Sequence, residues 1–184
     1  KKTTFGTNAG NIAISNGHSI VVKKDGSLWG SGKNNHGQLQ NLPTSGNLSH
    51  ASLIGSGIRT VSVGGEYSTF LKNDNTLWGI GRNHNGQLGT GNYSNQNTPT
   101  LIATGVIQAK ASGSTLHYID SNGILWGLGS NQSGTVGSGN TTQKYTSPTQ
   151  IESGVFRVEG IYNKPITNAN FQTAVDSWFA NEAN

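Results

Sequence analysis

The chain repeats one phrase three times. It reads "LWGSGKNNHGQLQN" from Leu28 to Asn41, "LWGIGRNHNGQLGTGN" from Leu77 to Asn92, and "LWGLGSNQSGTVGSGN" from Leu125 to Asn140. Trp29, Trp78 and Trp126 stand 49 and 48 residues apart. The pairs Gly57-Ile58, Gly105-Val106 and Gly154-Val155 keep spacings of 48 and 49. Repetition at this period restricts the chain to stacked copies of one supersecondary unit, each burying a face it cannot bury alone. Three full units run over residues 9–57, 58–105 and 106–154. Residues 1–8 align with the last strand of a preceding unit, and residues 155–164, opening with "VFRVEGI", begin a fourth.

Inside each unit the pattern is β. Ile12 and Ile14, Val61 and Val63, and Ala109 and Ala111 alternate with polar residues, the period of a half-buried strand. A second run follows: "SIVVKK", "STFLKN" and "LHYIDS". Next come Asp25-Gly26, Asp74-Asn75 and Asn122-Gly123, turn dipeptides whose Gly and Asn accept positive φ. The Leu-Trp-Gly strand comes next, and a glycine-rich loop leads to a last strand such as "TPTLIAT". Four short strands per repeat of 48–49 residues is the size of a propeller blade. The expected fold is therefore all-β, three four-stranded β-propeller blades forming an incomplete ring. The tryptophans are expected to fill the spaces between neighbouring sheets. Gly37, Gly86 and Gly134 belong to the same repeated framework and permit tight loops. The glutamine of Gly-Gln-Leu is expected to bond loop backbone.

Composition narrows the function classes. Apolar residues make up 32% of the 184, and 27 glycines bring the total into the range of folded domains. Only 11% are charged, with abundant Asn, Ser and Thr, a balance more typical of extracellular β-proteins than of cytosolic helical enzymes. The net charge of +4 is scattered, and Lys1-Lys2 and Lys23-Lys24 are the only adjacent basic pairs, so a nucleic-acid partner is not expected. There is no cysteine for disulfides or thiolate metal sites, and no apolar run long enough to span a membrane.

Catalytic constellations are missing. The five histidines, His18, His36, His50, His84 and His117, lack ligand-like spacing, so no metal is expected. His18 aligns with Tyr67 and reads as a packed strand residue. No serine sits in a G-x-S-x-G elbow, and "GSGNTT" lacks the lysine of a phosphate loop. Neither an enzymatic activity nor a cofactor is expected. The loop after Leu-Trp-Gly-x-Gly is more informative. Its framework repeats while Lys33, Asn35 and His36, then Arg82, His84 and Asn85, then Ser130, Gln132 and Ser133 change. A scaffold presents loops to a partner in this way, and a solvated turn would show it too. Lys33, His36, Arg82, His84 and Asn85 are the candidate binding residues.

With these motifs in view, "GGEYSTFLKNDNTLWGIGRNHNGQLGTGN" (residues 64–92) resembles a repeat of the regulator of chromosome condensation family. "NGHSIVVKKDGSLWGSG" (residues 16–32) follows the same pattern, departing later at Gln40, where Gly89 and Gly137 stand in the other units. The third unit is looser, with Thr135-Val136 in place of Gln-Leu. The resemblance implies a β-propeller whose loops bind partners, and relatives include an exchange factor for a small GTPase.

The last segment leaves the pattern. Over residues 165–184, Phe171, Ala174, Val175, Trp178 and Phe179 fall on one face of a short amphipathic helix. "NFQTAVDSWFANEA" also resembles the opening of a repeat from large bacterial surface proteins. Together these readings point to a non-catalytic interaction module of a secreted or surface protein, presenting blade loops to a protein or a glycan. The alternatives are a purely architectural repeat of a larger surface or virion protein, and a guanine-nucleotide-exchange type of propeller. An incomplete ring implies a homo-oligomer or a stretch of a longer array.

Overall fold

A computed structural model describes residues 8–40, 46–140 and 143–155. Apart from Asn8 and Val155, the strand read over 1–8, the fourth unit begun over 155–164 and the helix read over 165–184 lie outside these residues. The fold is all-β: three four-stranded antiparallel sheets, each a meander of consecutive strands. The first comprises β1 (Ala9–Ile14), β2 (His18–Lys23), β3 (Leu28–Lys33) and β4 (Asn47–Gly55). The second comprises β5 (Ile58–Val63), β6 (Tyr67–Lys72), β7 (Leu77–Gly81) and β8 (Gln96–Ala103). The third comprises β9 (Val106–Ser112), β10 (Thr115–Asp120), β11 (Leu125–Ser130) and β12 (Lys144–Glu152). No helix occurs among the described residues.

Pairing register repeats from blade to blade. Val21 faces Trp29, Phe70 faces Trp78 and Tyr118 faces Trp126 across the second and third strands. The hairpin between them is braced by an aspartate. Asp25 Oδ1 accepts the Ser27 N–H at 2.9 Å and hydroxyl at 2.6 Å, and Ser27 Oγ in turn accepts the Trp29 indole N–H at 3.0 Å. Asp74, Thr76 and Trp78 repeat the arrangement, and in the third blade Asp120 Oδ2 takes the Trp126 indole directly at 3.0 Å. Lys23 and Lys72 lie over the Trp29 and Trp78 rings at 4.0 and 4.3 Å, and Tyr118 stacks on Trp126 instead.

The tryptophans are half-buried, not enclosed. Trp78 and Trp126 pack at the margins of the two inter-blade cores, and their polar edge is tied to the hairpin turn. The enclosed filling comes from aliphatic residues. Ile20, Val22, Leu28, Leu39 and Ile54 of blade one meet Ile58, Val61, Phe70 and Ile80 of blade two. Leu71 and Leu77 of blade two meet Val106, Leu116, Tyr118 and Leu128 of blade three. Burying each such side chain is worth about 1.5–3 kcal/mol, so these seams hold the array together.

The glycine of Leu-Trp-Gly makes room for the loop residue that follows. A Cβ on Gly30 would come within 2.6 Å of Leu39 Cδ2, and one on Gly79 within 2.7 Å of Leu88 Cδ2. Leu39, Leu88 and Val136 are wholly buried, so each loop is pinned to its own sheet by its last apolar residue.

Candidate functional site

Each loop after the third strand is built around a buried asparagine. Asn34 Oδ1 accepts the Leu39 N–H at 2.8 Å, Asn83 Oδ1 that of Leu88 at 2.8 Å, and Asn131 Oδ1 that of Val136 at 3.0 Å. Their amide nitrogens donate to the carbonyls of Gln40, Asn92 and Asn140. The glutamines act one level out: Gln38 Oε1 accepts the His36 N–H, and Gln87 Oε1 that of Asn85, both at 2.9 Å. Thr135 replaces glutamine in blade three and bonds the Ser130 carbonyl at 2.9 Å. Buried polar groups are costly unless paired, and here the pairing fixes the loop from within.

Rigid loops from adjacent blades bring four of the five candidate residues around one that the sequence reading missed, Glu66. It sits at the turn between β5 and β6, where Gly17 and Ser114 stand in the other blades. The Arg82 guanidinium donates to Glu66 Oε2, and His36 Nε2 lies 3.5 Å from the same oxygen. Partial burial pulls the Glu66 carboxyl upward, but the Arg82 bond and the His36, Arg82 and Lys33 charges outweigh it. They hold the group below its ordinary value. His36 and His84 meet edge to face, centroids 6.2 Å apart, and Arg82 Nε is 3.3 Å from His84 Nδ1. Asn95 Nδ2 reaches His36 Nδ1 at 3.3 Å. From blade three, Lys144 Nζ donates to the His84 carbonyl at 3.2 Å and lies 5.3 Å from the Tyr93 ring. Asn85 stands apart from the cluster, its N–H taken by Gln87.

Lys33, Glu66 and Arg82 also line a cleft of about 300 Å³, with Asn16, Gly65 and Gly113 from the first turns of all three blades. Lys33 and His84 are exposed, while His36, Glu66 and Arg82 are half-buried. Two cations, Lys33 and Arg82, thus flank one carboxylate already neutralised by Arg82, and a third, Lys144, lies further along the rim against the His84 carbonyl. Such a rim can engage an acidic or hydrogen-bonding partner. Among the described residues no three His, Cys, Asp or Glu side chains converge as a metal site.

His18 is a packed strand residue bonded on both sides. Nδ1 pairs with Ser15 Oγ and Nε2 with Ser68 Oγ, each at 2.9 Å, and Ser68 donates onward to the Gln38 carbonyl at 2.8 Å. Burial pushes its imidazole down to about 4, against a weaker upward pull from Glu66. His18 therefore supports the Gln38 loop from beneath. The repeated Asn34, Asn83 and Asn131 were visible as a pattern in the sequence, whereas Glu66 carried only the signal of a charge where its counterparts have none.

Two profiles of the regulator of chromosome condensation (RCC1) repeat match the sequence, one over residues 74–115, the other over 11–38 and 58–87. A search of curated proteins finds no match. Among solved structures, human WBSCR16 superposes with a TM-score of 0.70 at 20% identity, covering 78% of this chain and 39% of that one. Yeast RCC1 (Prp20) bound to Kap60 gives 0.71 at 20% identity over 80% and 37%. Prp20p from Saccharomyces cerevisiae, in a structure reported with its binding to Gsp1p and histones, gives 0.70 at 19% over 80% and 39%. The chain thus spans less than two fifths of the length of these structures, and at such identities the likeness is one of fold. The family match, the recurring blade register and the propeller likeness agree: this chain carries repeats of the regulator of chromosome condensation family.

Proposed function

We propose that the chain is a non-catalytic interaction module of a secreted or surface protein, and that its rim at the boundary of blades one and two takes an acidic segment of a protein partner. One observation carries this reading: His36 of blade one and Arg82 of blade two meet on Glu66, with His84 against both and Lys33 lining the same partly exposed cleft. The loops beneath are braced by buried amides, so the rim is presented in one shape, which lowers the ordering cost of binding. A protein is favoured over a glycan because the similar yeast propeller Prp20p is described with its binding to Gsp1p and histones. The low charge and polar, uncharged surface support an extracellular setting.

The test is a double substitution, Arg82→Ala with His84→Ala, scored on an immobilised chain against poly-glutamate peptides and a glycan array. Expected is peptide binding that weakens with salt, as screening beyond roughly 10 Å requires, and that the double variant loses while its melting temperature holds. Glycan binding without peptide binding would move the partner to the other class. Peptide binding unchanged by the double variant places the interface elsewhere.

A further inference from the structure

Three asparagines in the sequence stand directly before a glycine: Asn16, Asn85 and Asn122. Asparagine is thermolabile. It reacts through its own chain, the amide nitrogen of the next residue attacking the side-chain carbonyl carbon, and a glycine there, lacking Cβ, leaves the approach open. A nitrogen held by a backbone carbonyl must first give up that bond. Gly86 N–H donates to the Asn83 carbonyl at 2.8 Å, and Gly123 N–H to that of Asp120 at 3.1 Å. Gly86 is also clamped by the next blade, where a Cβ on it would meet Thr146 Cα at 2.6 Å. Among the described residues, Gly17 N–H reaches only Ser15 Oγ, at 3.5 Å. That oxygen is already committed to His18, whose Nδ1 lies 2.9 Å away.

What lies beside this peptide gives the reaction a consequence. The Gly17 carbonyl accepts the Lys33 N–H at 2.6 Å, and a Cβ on Gly17 would meet Lys33 Cδ at 2.8 Å, so the lysine stem lies across the glycine. Asn16 and Lys33 line the 300 Å³ cleft together with Glu66 and Arg82. The charged side chains lining it are thus two cations and one carboxylate, an excess of one positive charge.

We propose that Asn16 is a self-modifying site, whose conversion to a carboxylate beside Lys33 removes the positive excess of the cleft as the protein ages. Gly17 N forms a bond to Asn16 Cγ, the Cγ–Nδ2 bond breaks, and ammonia leaves carrying the Gly17 proton. One water then opens the cyclic imide. Opening at Cγ gives aspartate, and opening at the main-chain carbonyl of the same residue gives isoaspartate, with the chain running through Cβ. Either way a neutral amide becomes a carboxylate, with no oxidant or reductant required. The resulting loss of affinity for an acidic segment rests on the rim reading above, whereas the chemistry at Asn16 does not.

The folded chain is incubated at mildly alkaline pH and its peptides are mapped by mass spectrometry. Asn16 is expected to convert roughly 10-fold faster than Asn85 or Asn122, the factor that about 1.4 kcal/mol of held hydrogen bond sets. In urea the three rates converge, since only the fold distinguishes the three pairs. Asn85 or Asn122 reacting as fast as Asn16 in the folded chain overturns the site. Asn16→Asp reproduces the added charge. With its melting unchanged, carbon NMR is expected to show Glu66 titrating higher than in the parent chain. Binding of poly-glutamate is expected to weaken at least about 3-fold, as one unit charge a few ångströms away in water implies. Asn16→Gln, which keeps the amide and resists cyclisation, retains its binding through the same incubation. A Glu66 titration unmoved by Asn16→Asp overturns the effect on the cleft. Poly-glutamate that fails to bind even the fresh chain removes the acidic-partner reading instead, and the mass maps and the Glu66 titration still decide this one.

Discussion

Single residues in this protein divide into those that brace the loops and those that face outward. His18 is the clearest brace, held neutral between Ser15 and Ser68. In the unfolded chain an imidazole takes up a proton below about 6.5, whereas in the fold it does so only below about 4. Between those values the unfolded state binds more protons, so stability is complete above pH 6.5 and falls as the pH drops through this window. The full loss is about 3 kcal/mol, at about 1.4 kcal/mol per pKa unit. Asp25, Asp74 and Asp120, whose carboxyls also sit below their ordinary value of 3.8, add their loss only at lower pH. Urea melts at pH 7 and 4.5 are expected to show the fall, and His18→Gln, which bonds without titrating, to flatten it. The outward residues follow different energetics. The partly exposed Arg82–Glu66 pair contributes about 0–1 kcal/mol, so its loss is read in binding. The sequence made His18 legible as a strand residue through its alignment with Tyr67. It left Glu66 obscure, because His36 and Glu66 are joined only by the packing of one blade on the next, which no spacing along the chain expresses.

At the level of the element, the Leu-Trp-Gly hairpin couples a turn, a sheet and a loop. The tryptophan closes the aspartate-braced turn through its indole N–H, and the glycine admits the leucine that anchors the loop. The repeat period made these strands readable, since alternation and turn dipeptides recurred together. Sequence periodicity could not give the depth of the aromatic ring: it marks which side a residue takes, not how far a neighbouring sheet covers it. Trp78 is half-buried, with Lys72 over its outer face. Trp78→Ala is therefore expected to cost about 2–3 kcal/mol, below the roughly 3–5 of an enclosed aromatic. Guanidinium denaturation checks this. A loss near 5 kcal/mol would mean that the seam closes over the ring more fully than its exposure indicates.

Across the whole molecule the array is linear in its energetics, each blade stabilised by its own sheet and by its seams. The second blade has a described neighbour on both sides, and the first and third on one. Hydrogen exchange is expected to be slowest in β6 and β7, with faster exchange in β1. Equal protection of all three sheets would show that the array unfolds as one unit. The three four-stranded sheets were legible from the repeat alone, and the rim was not, because it is a property of neighbours in space. The buried asparagines carry one more consequence. Since Asn34, Asn83 and Asn131 hold each loop by its own backbone, the exposed side chains between them and the anchoring leucine or valine, Asn35, His84, Gln132 and Ser133, add little to folding. Inherited change can accumulate there, and selection can rewrite what each rim recognises, blade by blade, without a stabilising mutation having to come first.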